Sequence, residues 1–268
     1  MKTVKNLVLL SSLMLFLTAN TYGWSRTEIQ WLRGDIQFPS NDDTVKTSVI
    51  TLTGTAGGEG WGTFFFIDHA SYNYDNKSGD NTEFVSKFWA NYSLSALTER
   101  ELKFGMIKDI RLVAGLKHAP EVDSVWFMPG IQLDLNLPGF SFANVRIAGY
   151  QHISGGRLAA KHFTTLDEEN SYQVNFVWRY PFMIGASKWS VEGFAEWVKG
   201  SKQISNFGSK ERSSWLFIQP QIRMDFGPMI GLPDDKLFVG IEYQYWQNKL
   251  GNPLIDESAP QLLIAYHF

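Results

Sequence analysis

The charged residues best placed to bind a polar solute occur as pairs of opposite sign, two residues apart, at three places in the chain. The pairs are Arg33/Asp35, Asp109/Arg111 and Arg223/Asp225. Residues two apart project from the same face of a β-strand. Each pair could brace a wall as a salt bridge, or offer donors and acceptors to the hydroxyls and base edges of a solute. The spacing predicts polar rows along one face of several strands.

Aromatic residues offer a second kind of chemistry, since they make up 15% of the chain. An aromatic face stacks on a nucleobase with a gain of about 1–3 kcal/mol per base, and it also covers the apolar face of a sugar. The same rings could instead fill a narrow barrel or lie at its rims. Both interpretations stay open for the set as a whole.

His152 and Ser154 form a candidate catalytic pair. They are two apart on a predicted strand, where a histidine could activate a serine for acyl transfer. The element resembles the His-x-Ser motif of outer-membrane phospholipase A and of lipid A deacylases, although Gly155 stands where those enzymes have Asn. Such a site must face lipid, whereas the parity of the strand points His152 inward.

Strands must position all of these side chains, and the sequence predicts about twelve. The clearest is the last stretch, Gln261–Phe268, which alternates between apolar and polar residues and ends on an aromatic ring. A final strand of this kind would be an exposed edge unless it paired and closed a sheet. Similar alternating segments recur from about Arg26 onwards. An even number of them predicts an all-β fold, a transmembrane antiparallel β-barrel.

The connections between these segments alternate between long ones at one end of the predicted barrel and short ones at the other. Four polar and fairly long connections are predicted outer loops: Ser71–Asn81, His152–Asn170, Lys199–Arg212 and Gln247–Ser258. Two tight, glycine-bearing connections, Gly57–Gly60 and Pro138–Phe140, are predicted inner turns. The connection Ser95–Gly105 is long for an inner turn. This alternation favours a membrane barrel over a soluble β-sandwich.

The N-terminus and the composition fit export to the outer membrane. Residues 1–23 have a basic start and a short apolar run, which predicts a signal peptide, and residues 24–268 would form one barrel domain. The net charge of −3 argues against nucleic acid as a partner. Without Cys, and with no ligand spacing among His69, His118, His162 and His267, we expect no metal and no cofactor.

Strand parity selects the residues that should line the lumen. A charge that faces lipid near the midplane costs about 2–4 kcal/mol, so the charged parity is expected to face inward. The lumen candidates are Trp31, Arg33, Asp35, Phe64, Phe66, Asp68, Trp89, Asp109, Arg111, Arg146, Tyr150, Arg179, Phe194, Trp215, Phe217, Arg223, Asp225 and Trp246. Their mixed charge argues against strong selectivity for anions or cations.

Several motifs resemble the nucleoside-specific channel-forming outer-membrane family (the Tsx/OmpK type). The motifs are Trp61–Asp68, Ser93–Thr98, Ile107–Asp109 and Leu135–Phe140, of which Gly-x-Phe-Phe-Phe-x-Asp and Leu-Pro-Gly-Phe are the most specific. Their order and spacing resemble that family from about Glu28 to Phe268. The resemblance implies a narrow, monomeric barrel that passes nucleosides, and it implies phage or colicin as further partners. No solute-contacting residue of the family aligns one by one, so none is carried over.

The sequence therefore predicts an outer-membrane channel for passive, selective diffusion of nucleosides or similar small solutes. Outer-membrane lipids would surround it. Two alternatives remain. One is an acyl hydrolase that uses Ser154 and His152, and the other is a plugged barrel that acts as a surface receptor through its longer outer loops.

Overall fold

The computed structural model describes residues 23–37, 44–73, 82–120, 124–154, 167–205 and 208–268, and for Ser154 and Ser205 the backbone alone. Its elements in chain order are β1 (Gly23–Gln37), β2 (Thr44–Gly58), β3 (Trp61–Tyr72), β4 (Thr82–Ser93), α1 (Leu94–Thr98), β5 (Ile107–Ala119), β6 (Ser124–Leu135), β7 (Phe142–Ser154), β8 (Asp167–Glu168), β9 (Ser171–Ile184), β10 (Ser187–Val198), β11 (Ser201–Ser205), β12 (Gly208–Arg212), β13 (Trp215–Asp225), β14 (Leu237–Gln247) and β15 (Glu257–His267). Two short 3₁₀ helices, Gly227–Ile230 and Lys249–Gly251, precede and follow β14.

Twelve of the described strands close into one antiparallel barrel. Their order around the barrel is β1-β15-β14-β13-β10-β9-β7-β6-β5-β4-β3-β2. The prediction of a transmembrane-type barrel with about twelve strands is confirmed. The remaining strands form a separate small sheet in the order β12-β11-β8, so the predicted outer loop Lys199–Arg212 contains a hairpin of its own.

The first and last strands complete the barrel by pairing with each other. Their register runs from Glu28 opposite His267 to Gly34 opposite Gln261, and β15 pairs with β14 on its other edge. The Phe268 amide then donates to the Thr27 carbonyl at 3.0 Å. The predicted role of the final strand as the closing strand is confirmed.

The two faces of the wall differ as the alternation predicts. In β15 every second residue is buried inside the barrel, whereas Leu262, Ile264, Tyr266 and Phe268 are exposed on its outside. Other strands expose Leu112, Leu116, Ile222 and similar residues in the same way. A continuous apolar outer surface of this kind is what a bilayer covers. In the described part of the chain, no helix has the length and hydrophobicity needed to cross a membrane.

The connections at the barrel end that carries Gly23 and Phe268, here called the inner end, are mostly tight. The long connection after β4 is an ordered exception, because Ser93 caps α1 by accepting from the Ala96 amide at 3.1 Å. The chain then turns back through a Phe104–Ile107 bridge into β5. The predicted signal peptide lies almost entirely outside the described residues, which start at Gly23.

Candidate functional site

A cavity of about 750 Å³ lies inside the barrel and is the candidate path for a solute. Its walls come from strands all around the lumen, and they combine aromatic rings, amides, hydroxyls and charges of both signs. Inward side chains alternate with outward ones on each strand, so the two-residue period of the sequence is what brings these groups together. The cavity volume is within the range of small-molecule sites.

The side of the lumen formed by β13, β14, β15 and β1 is lined by linked polar groups and is called the polar wall. At its centre Glu242 accepts hydrogen bonds from Gln221 Nε2 at 2.5 Å, Gln219 Nε2 at 3.0 Å and Gln261 Nε2 at 3.1 Å. Gln219 also donates to Gln244 Oε1 at 2.9 Å. Gln261 Oε1 is buried without a protein partner among the described residues. The polar side chains of the wall thus bind mainly one another.

An ion network continues the polar wall toward the inner end. Arg223 bonds Glu28 through both Nη atoms, at 2.7 and 3.2 Å, and its Nη1 lies 3.0 Å from Glu192 Oε1. Glu192 Oε2 is also 3.0 Å from Arg179 Nε. His267 Nε2 contacts the same Glu28 carboxylate. Every charge here has an opposite partner, and the attraction between partners offsets part of the cost of removing them from water.

Threonines and one carboxylate line the cavity on β2 and β3, next to β1. Thr51, Thr53 and Thr55 project inward from β2. Thr51 Oγ1 donates to Asp68 Oδ1 at 2.6 Å. No carboxylate–cation pair within 4 Å involves Asp68 among the described residues. Asp68 is therefore available to accept hydrogen bonds from a solute in the cavity.

Aromatic rings form the apolar part of the same cavity. Phe217 and Trp246 are stacked, with ring centroids 3.9 Å apart and an angle of 11° between their planes. Phe194 meets Phe217 edge-on at 5.2 Å, and Phe64 and Phe66 lie 6.3 Å apart on β3. Stacked and edge-on arrangements are the favourable ones for aromatic pairs. The rings hold one another in place and leave faces toward the cavity.

The side of the lumen formed by β4 to β7 and β9 is filled by side chains and is called the packed sector. Trp89, Trp126, Met128 and Tyr150 are buried there in one hydrophobic cluster. Two cations lie against its rings: Arg146 is 5.1 Å from the Trp89 centroid, and Lys117 is 5.1 Å from that of Trp126. This sector braces the barrel and, at mid-height, leaves the cavity displaced toward the polar wall. Nearer the outer end, Lys117, Trp126 and Tyr150 also line the cavity.

At the outer end the cavity reaches groups from the loops. Lys249 Nζ lies 2.7 Å from Glu257 Oε2, and Arg212 Nη1 lies 3.1 Å from Glu168 Oε1. Burial lowers the pKa of Lys249, and the neighbouring Glu257 carboxylate opposes that shift. Trp126 Nε1 donates to Glu168 at 3.2 Å, which joins the packed sector to the small outer sheet.

Most of the lumen residues predicted from the sequence do face inward. Ten line the cavity: Phe64, Phe66, Asp68, Tyr150, Arg179, Phe194, Trp215, Phe217, Arg223 and Trp246. Five more lie on the inner face without lining the cavity: Trp89, Asp109, Arg111, Arg146 and Asp225. Of these, Arg111 Nε donates to Asp134 Oδ2 at 2.7 Å, a contact that links β5 to β6 near the inner end.

The inward position predicted for Trp31, Arg33 and Asp35 is wrong. Trp31 is 40% exposed and pairs with the outward Ile264, and Arg33 Nη1 donates to Ser48 Oγ on the outer surface. Arg33 and Asp35 lie within four residues of the outer end of β1, at Gln37. A charge facing lipid costs only about 0–1 kcal/mol near the interface, so the argument for turning them inward does not hold there.

The candidate catalytic pair has one member that the structure describes in full. His152 faces the lumen, as the strand parity predicts; its Nε2 lies 3.2 Å from Ser124 Oγ, and its ring lies 5.5 Å from that of Trp126. The side chain of Ser154 is outside the described residues, while its backbone pairs with Val125 next to a register shift. Among the described residues, no group of His, Asp and Glu is arranged to hold a metal ion.

Several residues of the polar wall were missing from the predicted set. Glu28 and Gln30 take part in its network, as do Gln221 and Gln244. Gln261 and His267 also take part, and the alternation of the last strand does predict that both face inward. On β1 the signal was present: Glu28 and Gln30 share the parity opposite to Trp31. The prediction instead turned the charged residues Arg33 and Asp35 inward, and this assigned the inner and outer faces of β1 the wrong way round.

The sequence model of one family, described as nucleoside-specific channel-forming protein, Tsx, matches residues 52–261. The chain therefore belongs to this family, and it is a β-barrel channel of the bacterial outer membrane. No curated protein matches the sequence. Among solved structures, an outer membrane channel from Pseudomonas putida F1 is similar, with 8% identity, 92% of this chain and 96% of that chain covered, and a TM-score of 0.49. A KdgM porin in complex with disordered oligogalacturonate has 9% identity, coverage of 90% and 99%, and a TM-score of 0.46.

Proposed function

We propose that this member of the family passes nucleosides, or solutes of similar size and polarity, by passive and selective diffusion. The observation that carries the proposal is the cavity of about 750 Å³, in which stacked aromatic rings and a wall of amides and carboxylates face one space. A nucleoside has matching parts, a flat base and a ribose rich in hydroxyls. A plain water-filled pore would need neither wall.

The aromatic residues supply weak, successive contacts for the base. Phe64 and Phe66 lie on one side of the cavity, and Phe194, Phe217 and Trp246 on another. Several weak sites suit a channel better than a single strong one, because tight binding would stop transit. Each stacking contact is worth about 1–3 kcal/mol, which is enough to favour nucleosides over plain sugars.

The polar wall supplies hydrogen bonds for the ribose and for the base edges. Asp68 can accept from hydroxyl or amino groups, and the threonines of β2 can donate or accept. Charges of both signs line the cavity and are mostly paired with each other. Such a lining gives little net attraction for ions and suits neutral solutes.

The small outer sheet favours a second role as an attachment surface. β8, β11 and β12 form a small sheet at the outer end, where Glu168 and Lys210 also line the cavity, and β11 and β12 pair from Ser201–Arg212 to Ser205–Gly208. We propose this sheet as the surface on which a phage or colicin would dock, with the chain as a monomer that closes its own barrel.

Liposome swelling tests the channel function directly. Purified, refolded protein is placed in liposomes, and swelling rates are compared for nucleosides and for sugars of similar size. We expect nucleosides to enter faster than the sugars. Absence of flux for every solute would contradict a channel, and equal rates for nucleosides and matched sugars would contradict nucleoside selectivity.

A further inference from the structure

One salt bridge crosses the lumen from wall to wall. Lys87 Nζ on β4 lies 2.6 Å from Glu196 Oε2 on β10, and the two side chains are 9% and 2% exposed. Around the barrel, four strands separate β4 from β10 on one side and six on the other. The two residues therefore come from nearly opposite walls. We call this pair the crossbar.

The crossbar closes off the four-strand side, which is the packed sector. Trp89, two residues from Lys87 on the same face of β4, is buried there beneath the guanidinium of Arg146. Met128 is fully buried in the same cluster, and Gln173 Nε2 from β9 donates to its sulfur at 3.4 Å. At the level of the crossbar, dense packing of this kind leaves no passage for a solute on this side.

A second lysine lies beside Lys87 on the neighbouring strand, so the carboxylate that pairs with Lys87 comes from the far wall. Lys117 on β5 is the direct cross-strand partner of Lys87, and two like charges in that position repel each other. Lys117 is held on the packed side, where its Nζ donates to the Tyr150 hydroxyl at 3.2 Å. Glu196 compensates Lys87 from across the lumen, and Asn175 Nδ2 lies 3.4 Å from the same Glu196 oxygen.

At the level of the crossbar the solute cavity lies on the six-strand side, although nearer the outer end Trp126 and Tyr150 of the other side also line it. Each end of the crossbar is flanked on the six-strand side by an aromatic residue: Phe66 is the cross-strand partner of Lys87, and Phe217 is that of Glu196. Both rings line the cavity. A solute that passes the crossbar level must therefore move along the polar wall, within reach of these two rings.

We propose that the crossbar sets the size limit of the channel and keeps the solute against the aromatic rings and the polar wall. The proposal rests on the channel function proposed above. Lys87 and Glu196 are buried and joined directly, so the bridge is a fixed strut rather than a mobile charge in solvent. Its removal would join the space around the two side chains to the cavity and widen the narrowest sector.

The test removes both members of the crossbar together, which leaves neither charge without its partner. Liposome swelling is measured for Lys87→Ala/Glu196→Ala with a series from pentoses and nucleosides to di- and trisaccharides. We expect the larger sugars to enter several-fold faster than in the unaltered channel, and the preference for nucleosides over sugars of equal size to fall. Single-channel conductance should rise in parallel.

A matched control is available in Arg111→Ala/Asp134→Ala. That pair has a similar distance of 2.7 Å, but it joins the neighbouring strands β5 and β6 instead of crossing the lumen, and neither residue lines the cavity. We expect this variant to keep the original size limit. The exchanged pair, Lys87→Glu/Glu196→Lys, restores a bridge across the lumen and should restore the size limit as well.

The outcomes separate the crossbar from the channel function itself. An unchanged size series in the folded double-alanine variant would overturn the crossbar proposal, while flux through the unaltered protein would leave the channel function standing. If the double-alanine variant does not form a barrel, Lys87→Ser/Glu196→Ser is measured instead, because it removes the charges and the bulk of the strut but keeps a small polar group at each position. The same unchanged series in that variant would also overturn the proposal.

Discussion

The polar wall and the packed sector enclose one lumen and are both buried, yet they are held together in opposite ways. The polar wall links its groups by hydrogen bonds and ion pairs, as around Glu242 and Arg223. The packed sector fills its volume with rings and with Met128. Hydrogen bonds fix the orientation of the polar side chains but leave free volume beside them, whereas close packing of side chains leaves no free volume. The cavity lies beside the polar wall for this reason, and stability and selectivity should be separable by mutation.

The largest effect on this comparison is expected from Arg223→Ala, which breaks the polar wall. It removes the cation shared by Glu28 and Glu192. Loss of one partner from a buried ion pair costs about 3–5 kcal/mol, and we expect that loss in the free energy of unfolding, measured by urea titration of the refolded protein in lipid vesicles. Lys188→Ala, which breaks an exposed pair with Asp234 at the inner rim, is the control and should change little. Equal stability of the two variants would contradict the importance of the network.

The next largest effect is expected in the packed sector, from Met128→Ala. Met128 is fully buried, and replacement of such a side chain by alanine costs about 2–5 kcal/mol because a cavity remains. The free energy of unfolding should fall, while nucleoside flux at a temperature where the barrel stays folded should not change. A changed ratio of nucleoside to sugar flux would show that the packed sector also takes part in selection.

A smaller effect, confined to the solute, is expected from Phe217→Ala. The ring stacks on Trp246 and lines the cavity. We expect nucleosides to bind in the channel more weakly, by about 1–3 kcal/mol, measured from the nucleoside concentration that reduces ion conductance. Phe176→Ala, on the outward face of β9, serves as the control and should leave this concentration unchanged. Equal shifts in both variants would argue against stacking in the lumen.

The smallest effect is expected from Ser154→Ala, which tests the acyl-hydrolase alternative. If the lumen carries the function, nucleoside flux is unchanged and neither the variant nor the unaltered protein hydrolyses phospholipid. His152, the proposed base, faces the lumen beside Trp126 rather than the lipid. Phospholipid hydrolysis that depends on Ser154 would replace the channel interpretation with an enzymatic one.

The sequence predicts the barrel well because alternation is a local property. Each strand needs only its own neighbours to show which face is apolar, and fifteen of the eighteen predicted lumen residues lie on the inner face for this reason. The errors at Trp31, Arg33 and Asp35 arise where depth in the bilayer, rather than parity, decides the cost of a charge. Depth depends on strand register, which a single strand does not reveal.

The contacts across the lumen could not be predicted from the sequence. Glu28 and Arg223 are 195 residues apart, and Lys87 and Glu196 are 109 apart. Their meeting depends on the tilt and register of all intervening strands and on which side chains reach across the barrel. The sequence therefore indicates which residues face inward, but not which of them bind one another or where the free volume remains.

The seam between β1 and β15 has a consequence for how the barrel assembles. Glu28 on β1 binds both Arg223 on β13 and His267 on β15. Its charge is therefore compensated only when the last strands have taken their places beside β1. An open sheet that lacks the last strands would hold this carboxylate without its partners. Closure should accordingly be cooperative: partly wound intermediates gain little from the seam, and the final strand converts them to the native barrel in one step.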